Sequence, residues 1–296
     1  MRARVSHRAS NVAAVAAAVG IALFLLACAL PRIGLARGDA PAPVFQLYGD
    51  RAAAGKIPYR DYSLEYPPGA LAAIVPPSLA AADRYGFWFK ALEILFGSAC
   101  VGLVAVCLAL LGASTAHAIA ATAFVALAPL ALGSVVLERF DLWPTALLLG
   151  GLAALLGGRA GLGGAALGLG TVTKLFPVVL LPLGLLYLAR RAGAGAVRRA
   201  LVGFAAAAAV VLAPFVLLGP GGVAFSVERQ SGRALQIESV GSALLLGLKE
   251  LGAYTPHAVF SSGSWNLTGG LAAGVGGLET VLQIAAVAAV WLLFAR

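Results

Sequence analysis

Long, uninterrupted apolar runs constrain this chain more than any other feature. Residues 12–30 contain no charged side chain, and 199–219 and 270–295 contain one each. A stretch of about 20 apolar residues spans the hydrocarbon core as a helix. In lipid every backbone N–H and C=O must be satisfied internally, which leaves helices or a closed barrel. The apolar residues come in runs and do not alternate with polar ones, so helices are expected. Composition agrees: 61% of residues are hydrophobic and 11% charged, against about 25% charged in soluble domains.

The chain therefore reads as an all-α, polytopic transmembrane helical bundle, one integral membrane domain over residues 1–296. Spanning helices are expected at 11–31, 87–112, 116–136, 142–157, 160–173, 175–189, 199–219 and 270–295. The middle ones fall short of a simple span, so broken or tightly paired helices are expected there. The Gly-rich stretch from Gly157 to Gly170 fits close helix packing. Met1 to Leu30, with Arg2, Arg4 and Arg8 before an apolar stretch, reads as a retained signal anchor. Residues 69–82 are too short to span and carry Pro76-Pro77, so a re-entrant or surface-lying helix is expected. Cys28, Cys100 and Cys107 lie in apolar runs without ligand spacing and read as small buried hydrophobes.

The charge of +9 does not indicate nucleic acid, because its placement is topological. With the N-terminus inside, Arg159, the Arg190-Arg191-Arg198-Arg199 cluster and Arg296 share the inner side with Arg2, Arg4 and Arg8. All twelve acids then fall on or near the outer side, in or near extracytoplasmic loops at 32–86 and 220–268. A structured first loop is expected, because charge near a bilayer is costly and marks binding or chemistry.

Four outer clusters carry that charge. The first runs from Asp39 through Asp50, Tyr59, Asp61 and Glu65; the second is Glu138-Arg139-Phe140-Asp141. The third is Lys174, in Thr173-Lys174-Leu175-Phe176-Pro177, and the fourth holds Glu228, Arg229, Arg233 and Glu238. Carboxylates and cations above an apolar bundle suit a lipid with a phosphate and a polar head. Plainer readings stand beside this one. Glu138, Arg139 and Asp141 also fit an ion pair at a helix junction, Lys174 also fits snorkelling, and Arg229 and Arg233 also fit solvated loop residues. His7, His117 and His257 are scattered, so neither a metal nor any other cofactor is indicated. Asn266-Leu267-Thr268 matches a glycosylation sequon.

Gly55-Lys56-Ile57-Pro58-Tyr59-Arg60-Asp61 with Glu65-Tyr66-Pro67-Pro68, then Arg139-Phe140-Asp141-Leu142-Trp143-Pro144, Lys174-Leu175-Phe176-Pro177 and Arg233 to Ser239 follow in order. Over about residues 11–240 this resembles glycosyltransferase family 87. The resemblance implies a GT-C bundle with its active site on the extracytoplasmic face of the cell membrane. It implies a hexosyltransferase, a mannosyltransferase in particular, that inverts the anomeric centre. The partners it implies are a polyprenyl-phosphate sugar donor, a lipid- or wall-linked glycan acceptor and membrane lipid. A loop aspartate would act as base. The Tyr-x-x-Tyr-like pair falls on Phe45 and Tyr48 and the expected acid near Pro41, so Asp39, two residues away, is the nearest carboxylate. On that pattern Asp39, Asp61 and Glu65 are the catalytic candidates. Tyr59, Arg139, Asp141, Lys174, Arg233 and Glu238 are the substrate-binding ones. The family's pattern also implies further helices beyond this length. A lipid-linked sugar flippase, a small-solute transporter and an inactive scaffold are the alternative readings. Transporters, however, place charge near the midplane and often show internal repeats, neither of which is evident here.

Overall fold

A computed structural model describes residues 7–33, 43–231, 234–261 and 264–296. Asp39 and Arg233, both singled out above, lie outside the described residues. The chain divides into two compact units, Met1–Val223 and Ala224–Arg296.

The first unit is a helical bundle capped by a folded loop. Helix α1 (His7–Ala29) runs antiparallel along a later helix, Tyr85–Leu110. Its first half packs Val12 and Ala16 on Ala105 and Ala109, and its second half packs Phe24 and Cys28 on Val101 and Leu137. The three cysteines are buried free thiols.

Between these helices the first loop folds into a platform. It holds α2 (Pro43–Ala53), an irregular stretch at 54–67 and α3 (Leu71–Ile74), which sits among short 3₁₀ turns. Residues 69–82 are therefore not one helix. Pro67, Pro68, Pro76 and Pro77 each deny the backbone a donor, and the chain proceeds in single turns. Ala70, Ala73 and Ile74 are fully buried in a core with Phe45, Tyr48, Tyr59, Tyr62, Leu64, Tyr85, Phe89 and Phe140. The Tyr-x-x-Tyr-like pair, Phe45 and Tyr48, is thus part of the platform core.

The bundle continues from α4 (Tyr85–Leu110) through α5 (Thr115–Ala126), whose cap Ser114 accepts from the His117 N–H at 3.3 Å. Two short turns, α6 (Ala128–Leu132) and α7 (Val135–Glu138), lead to α8 (Leu142–Leu156). Asp141 stands at the start of α8 and Arg159 just beyond its end, so acid and base sit at opposite ends of one helix. Helix α9 (Ala160–Thr171) packs against α10 (Leu181–Leu218). A Cβ at Gly164 or Gly168 would collide with the α10 backbone at Ala200 and Phe204, the small-x-x-x-small contact expected of this stretch.

Uninterrupted, the 38 residues of α10 would be about 57 Å long, nearly twice the ~30 Å hydrocarbon core. Gly193 breaks the helix with φ 73°, a conformation open to glycine. The break falls within the Arg190–Arg199 cluster, so the expected helices at 175–189 and 199–219 are its two arms.

The second unit starts within α11 (Pro220–Ser231), which begins in the first. It contains α12 (Val240–Glu250), α13 (Gly270–Ala295) and a small antiparallel sheet the sequence reading did not anticipate. Strands β1 (Leu235–Gln236), β2 (His257–Ser261) and β3 (Ser264–Thr268) pair in the order β1-β3-β2. Leu235, Leu245, Leu267 and Ala272 form its core. Asn266 is fully buried and its Nδ2 donates to the Ser261 and Ser264 carbonyls at 2.9 and 3.0 Å, which closes the sequon to modification.

Among the described residues, Ala9–Ala29, Ala82–Leu110, Thr115–Leu132, Phe176–Leu218 and Gly270–Ala295 are long and apolar enough to cross a membrane, with α8 a shorter apolar helix. The protein is an all-α, polytopic membrane bundle.

Candidate active site

The sequence Phe140-Asp141-Leu142-Trp143-Pro144 places an acid where the chain turns into α8. Pro144 is tolerated there because first-turn N–H groups have no partner inside a helix. The Asp141 side chain makes no cap bond to its own helix. Its Oδ1 instead accepts from the Lys174 ammonium, 33 residues away. Lys174 lies in the turn after α9, its backbone N–H donating to Gly170 at 2.9 Å, and its ammonium stands 5.5 Å from the centre of the Phe140 ring. Ammonium and carboxylate are both partly exposed, at 39% and 50%, so the pair is open to an incoming ligand.

The platform's 65–69 segment joins this pair. Tyr66 meets Phe140 edge-on with ring centres 4.9 Å apart. Gly69 donates its N–H to the Val172 carbonyl at 2.8 Å, and the Trp143 indole donates to the Gly69 carbonyl at 3.3 Å. A Cβ at Gly69 would stand 2.7 Å from the Val172 carbonyl, so only glycine allows the approach. The Glu65-Tyr66-Pro67-Pro68 and Lys174-Leu175-Phe176-Pro177 motifs thus meet through Pro67-Pro68-Gly69. Glu65 is buried within this segment.

Asp61 has a different setting. Its Oδ2 accepts from the Ile57 N–H at 2.7 Å, and Arg60 donates to both oxygens at 2.8 and 3.0 Å. The Arg60 bonds, and after them the Ile57 bond, hold this carboxyl down at about 2. Asp61 therefore holds the Ile57–Tyr62 turn. Tyr59 is buried at the turn's centre with φ 68°, a conformation that costs a residue with a Cβ roughly 1–3 kcal/mol. Its hydroxyl donates to the Tyr66 carbonyl, its ring packs edge-on against Phe215, and burial pushes its ionisation up. Both residues build the platform that carries Glu65.

At the junction before α8, Asp141 bonds Lys174. Arg139 is partly buried in extended backbone. One Glu138 oxygen is buried without a hydrogen-bond partner. Glu238 is exposed in the second unit, just before the α12 cap Ser239.

Two buried charges escaped sequence reasoning, Lys90 and Glu93, which are 1% and 0% exposed on α4. Glu93 shares a helix face with Phe89 and Phe96, which stack against Phe45 and Trp143. Both its oxygens lack a hydrogen-bond partner, an arrangement that costs roughly 1–3 kcal/mol. The signal available in the sequence was two charges three residues apart inside an apolar run.

A cavity of about 910 Å³ opens at the far end of α8, lined by Ala153, Gly157 and Arg159 among others. None of its lining residues is acidic, so it lacks the chemistry gathered around Asp141.

No curated protein matches the chain, and no solved structure does. The model of glycosyltransferase family 87 matches residues 64–296. That stretch starts later and ends later than the resemblance read from the motifs. It takes in Glu65, Arg139, Asp141 and Lys174 and extends through the second unit. The chain accordingly belongs to glycosyltransferase family 87 and is a membrane glycosyltransferase.

Proposed function

We propose that this protein moves a hexose, mannose in the first instance, from a polyprenyl-phosphate donor to a lipid- or wall-linked glycan. On this reading the bundle is of GT-C type, and the platform and α8's acidic end face outward across the cell membrane. The observation that carries it is the partly exposed Asp141–Lys174 pair, seated on Phe140 beside the 65–69 segment.

The chemistry balances with the groups named. An acceptor oxygen attacks C1 of the sugar as the C1–O bond to phosphate breaks, inverting the centre, and the phosphate keeps the bonding electrons. A carboxylate takes the acceptor proton. Asp39 is assigned that role, with Glu65 the described acid nearest the pair along the platform. Phosphate is already a good leaving group, so no general acid is required. The Lys174 ammonium, with Arg139, stabilises the charge growing on it. Asp141 holds Lys174 until the donor arrives. Tyr59 and Asp61 act through the platform.

Transfer of radiolabelled sugar from a panel of prenyl-phosphate donors, in membranes carrying the protein, tests this reading. Transfer from the mannose donor, lost in Asp39→Asn, is the expected result. Full transfer in Asp39→Asn and Glu65→Gln alike would remove the base assignment. No transfer from any prenyl-phosphate sugar would remove the donor.

A further inference from the structure

We infer that the cavity at the Arg159 end of α8 is a binding site for an anionic phospholipid, with its phosphate on Arg159 and an acyl chain along the cavity wall. The inference is independent of the donor reading and uses the proposed topology only to name the leaflet, the inner one. The cavity measures about 910 Å³ and lies between the start of α1, the end of α4, the end of α8 and the start of α9. Its walls are small and apolar: Ala13 of α1 and Gly150, Ala153, Ala154 and Gly157 of α8 line it where larger side chains would fill it. Its volume lies in the range of about 300–1,000 Å³ that encloses a small organic ligand. Helices α1 and α4 are long and apolar enough to span, so the solvent beside them is lipid and a hydrocarbon chain suits such walls.

Polar chemistry is confined to the rim. Ser10, in the first turn of α1, and Arg159, between α8 and α9, are the only lining residues with polar side chains. The turn between α8 and α9 satisfies its own amides: the N–H groups of Gly157, Gly158 and Arg159 donate to Ala153, Leu155 and Ala154 at 2.9, 3.0 and 2.8 Å. Recognition of an anion therefore falls to the Arg159 guanidinium. It is exposed and, among the described residues, has no carboxylate partner.

Charge around the rim selects the headgroup. Residues 94–137 and 142–218 contain no acid, so the positive charge at this end has no counterpart in the helices that carry it. A Cβ at Gly161 would stand 3.8 Å from the Arg199 carbonyl, which puts the Arg190–Arg199 cluster at the same end as Arg159. A zwitterionic headgroup would bring its own cation into this field, whereas an anionic one brings only negative charge. A guanidinium binds phosphate through paired N–H donors. Basic pockets between spanning helices on the cytoplasmic side suit anionic headgroups. A lipid held in this way bridges α1, α8 and α9 and stabilises the first unit as it binds.

Native mass spectrometry of the full chain in detergent, with dioleoyl phosphatidylglycerol or dioleoyl phosphatidylcholine added, tests the site. One phosphatidylglycerol should bind about tenfold more tightly than phosphatidylcholine, the scale of one charge-assisted contact, and should raise the melting temperature. Arg159→Gln should lose that preference, and Arg191→Gln, outside the cavity lining, should keep it. Ala153→Leu fills the cavity and should weaken the binding of both lipids. Ala13→Leu does the same from the α1 wall, and lipid-free melts of each variant check its folding. Inorganic phosphate at the same concentration should leave the melting temperature unmoved. Equal binding of the two lipids, equal losses in Arg159→Gln and Arg191→Gln, undiminished binding in a folded cavity-filling variant, or protection by inorganic phosphate alone would overturn the assignment.

Discussion

At the scale of single residues, the same side-chain type does different work according to what surrounds it. Asp61 and Asp141 are both partly exposed carboxylates beside a cation, yet Asp61 is also bound by a backbone N–H and closes a turn, whereas Asp141 bonds a lysine 33 residues away. Asp61's value is depressed to about 2 in the folded chain, below the 3.8 of a free side chain. Its contribution is therefore complete above about 4 and is lost as pH falls through about 2. Protection of the Ile57 amide, its exchange rate relative to the unstructured rate at each pH, should hold from pH 7 to about 4 and fall only below it; Asp61→Asn should be unprotected throughout. An unchanged Ile57 rate in that variant would deny Asp61 its turn. Lys174→Ala should raise the donor KM about tenfold or more, as expected when a charge-assisted contact is lost, with a smaller change for acceptor. Equal shifts for both substrates would take Lys174 away from the phosphate.

At the scale of elements, the platform is joined to the bundle by the contact of Gly69 with the turn that carries Lys174. Gly69→Ala must push that turn away, and overpacking of this kind costs about 1–3 kcal/mol. A lowered melting temperature in detergent together with a raised donor KM is the expected outcome. A variant that melts like wild type would show the contact to be slack. This junction was only half legible in the sequence. The prolines at 67, 68, 76 and 77 announced that residues 69–82 do not span, but not that they fold as successive turns with Ile74 in an aromatic core. The three-stranded sheet of the second unit was missed for a related reason: β1 is two residues long, and every residue of β2 is exposed. Neither has the alternation by which strands are recognised.

At the scale of the whole molecule, the proposed topology sets the Asp141 end of α8 and its Arg159 end on opposite sides of a membrane. Single cysteines at Lys56 and Arg191, both exposed, should react with an impermeant reagent from opposite sides, Lys56→Cys from outside. Labelling from one side would collapse the outward-facing site. The apolar helices were readable from sequence because spanning depends on local quantities: run length, hydropathy and a backbone that must bond within itself. The motifs around Glu65, Arg139, Asp141 and Lys174 were readable as motifs for the same reason. The bond between Asp141 and Lys174 was not, because Lys174 reaches Asp141 across 33 residues and from a turn fixed by Gly69. Lys90 and Glu93 showed only as two charges inside an apolar run, which says nothing of what surrounds them in the packed bundle. Sequence alone determined that the chain spans a membrane and which side chains bear charge. Tertiary structure alone decided which charges pair, because pairing is set by how helices pack and not by their order.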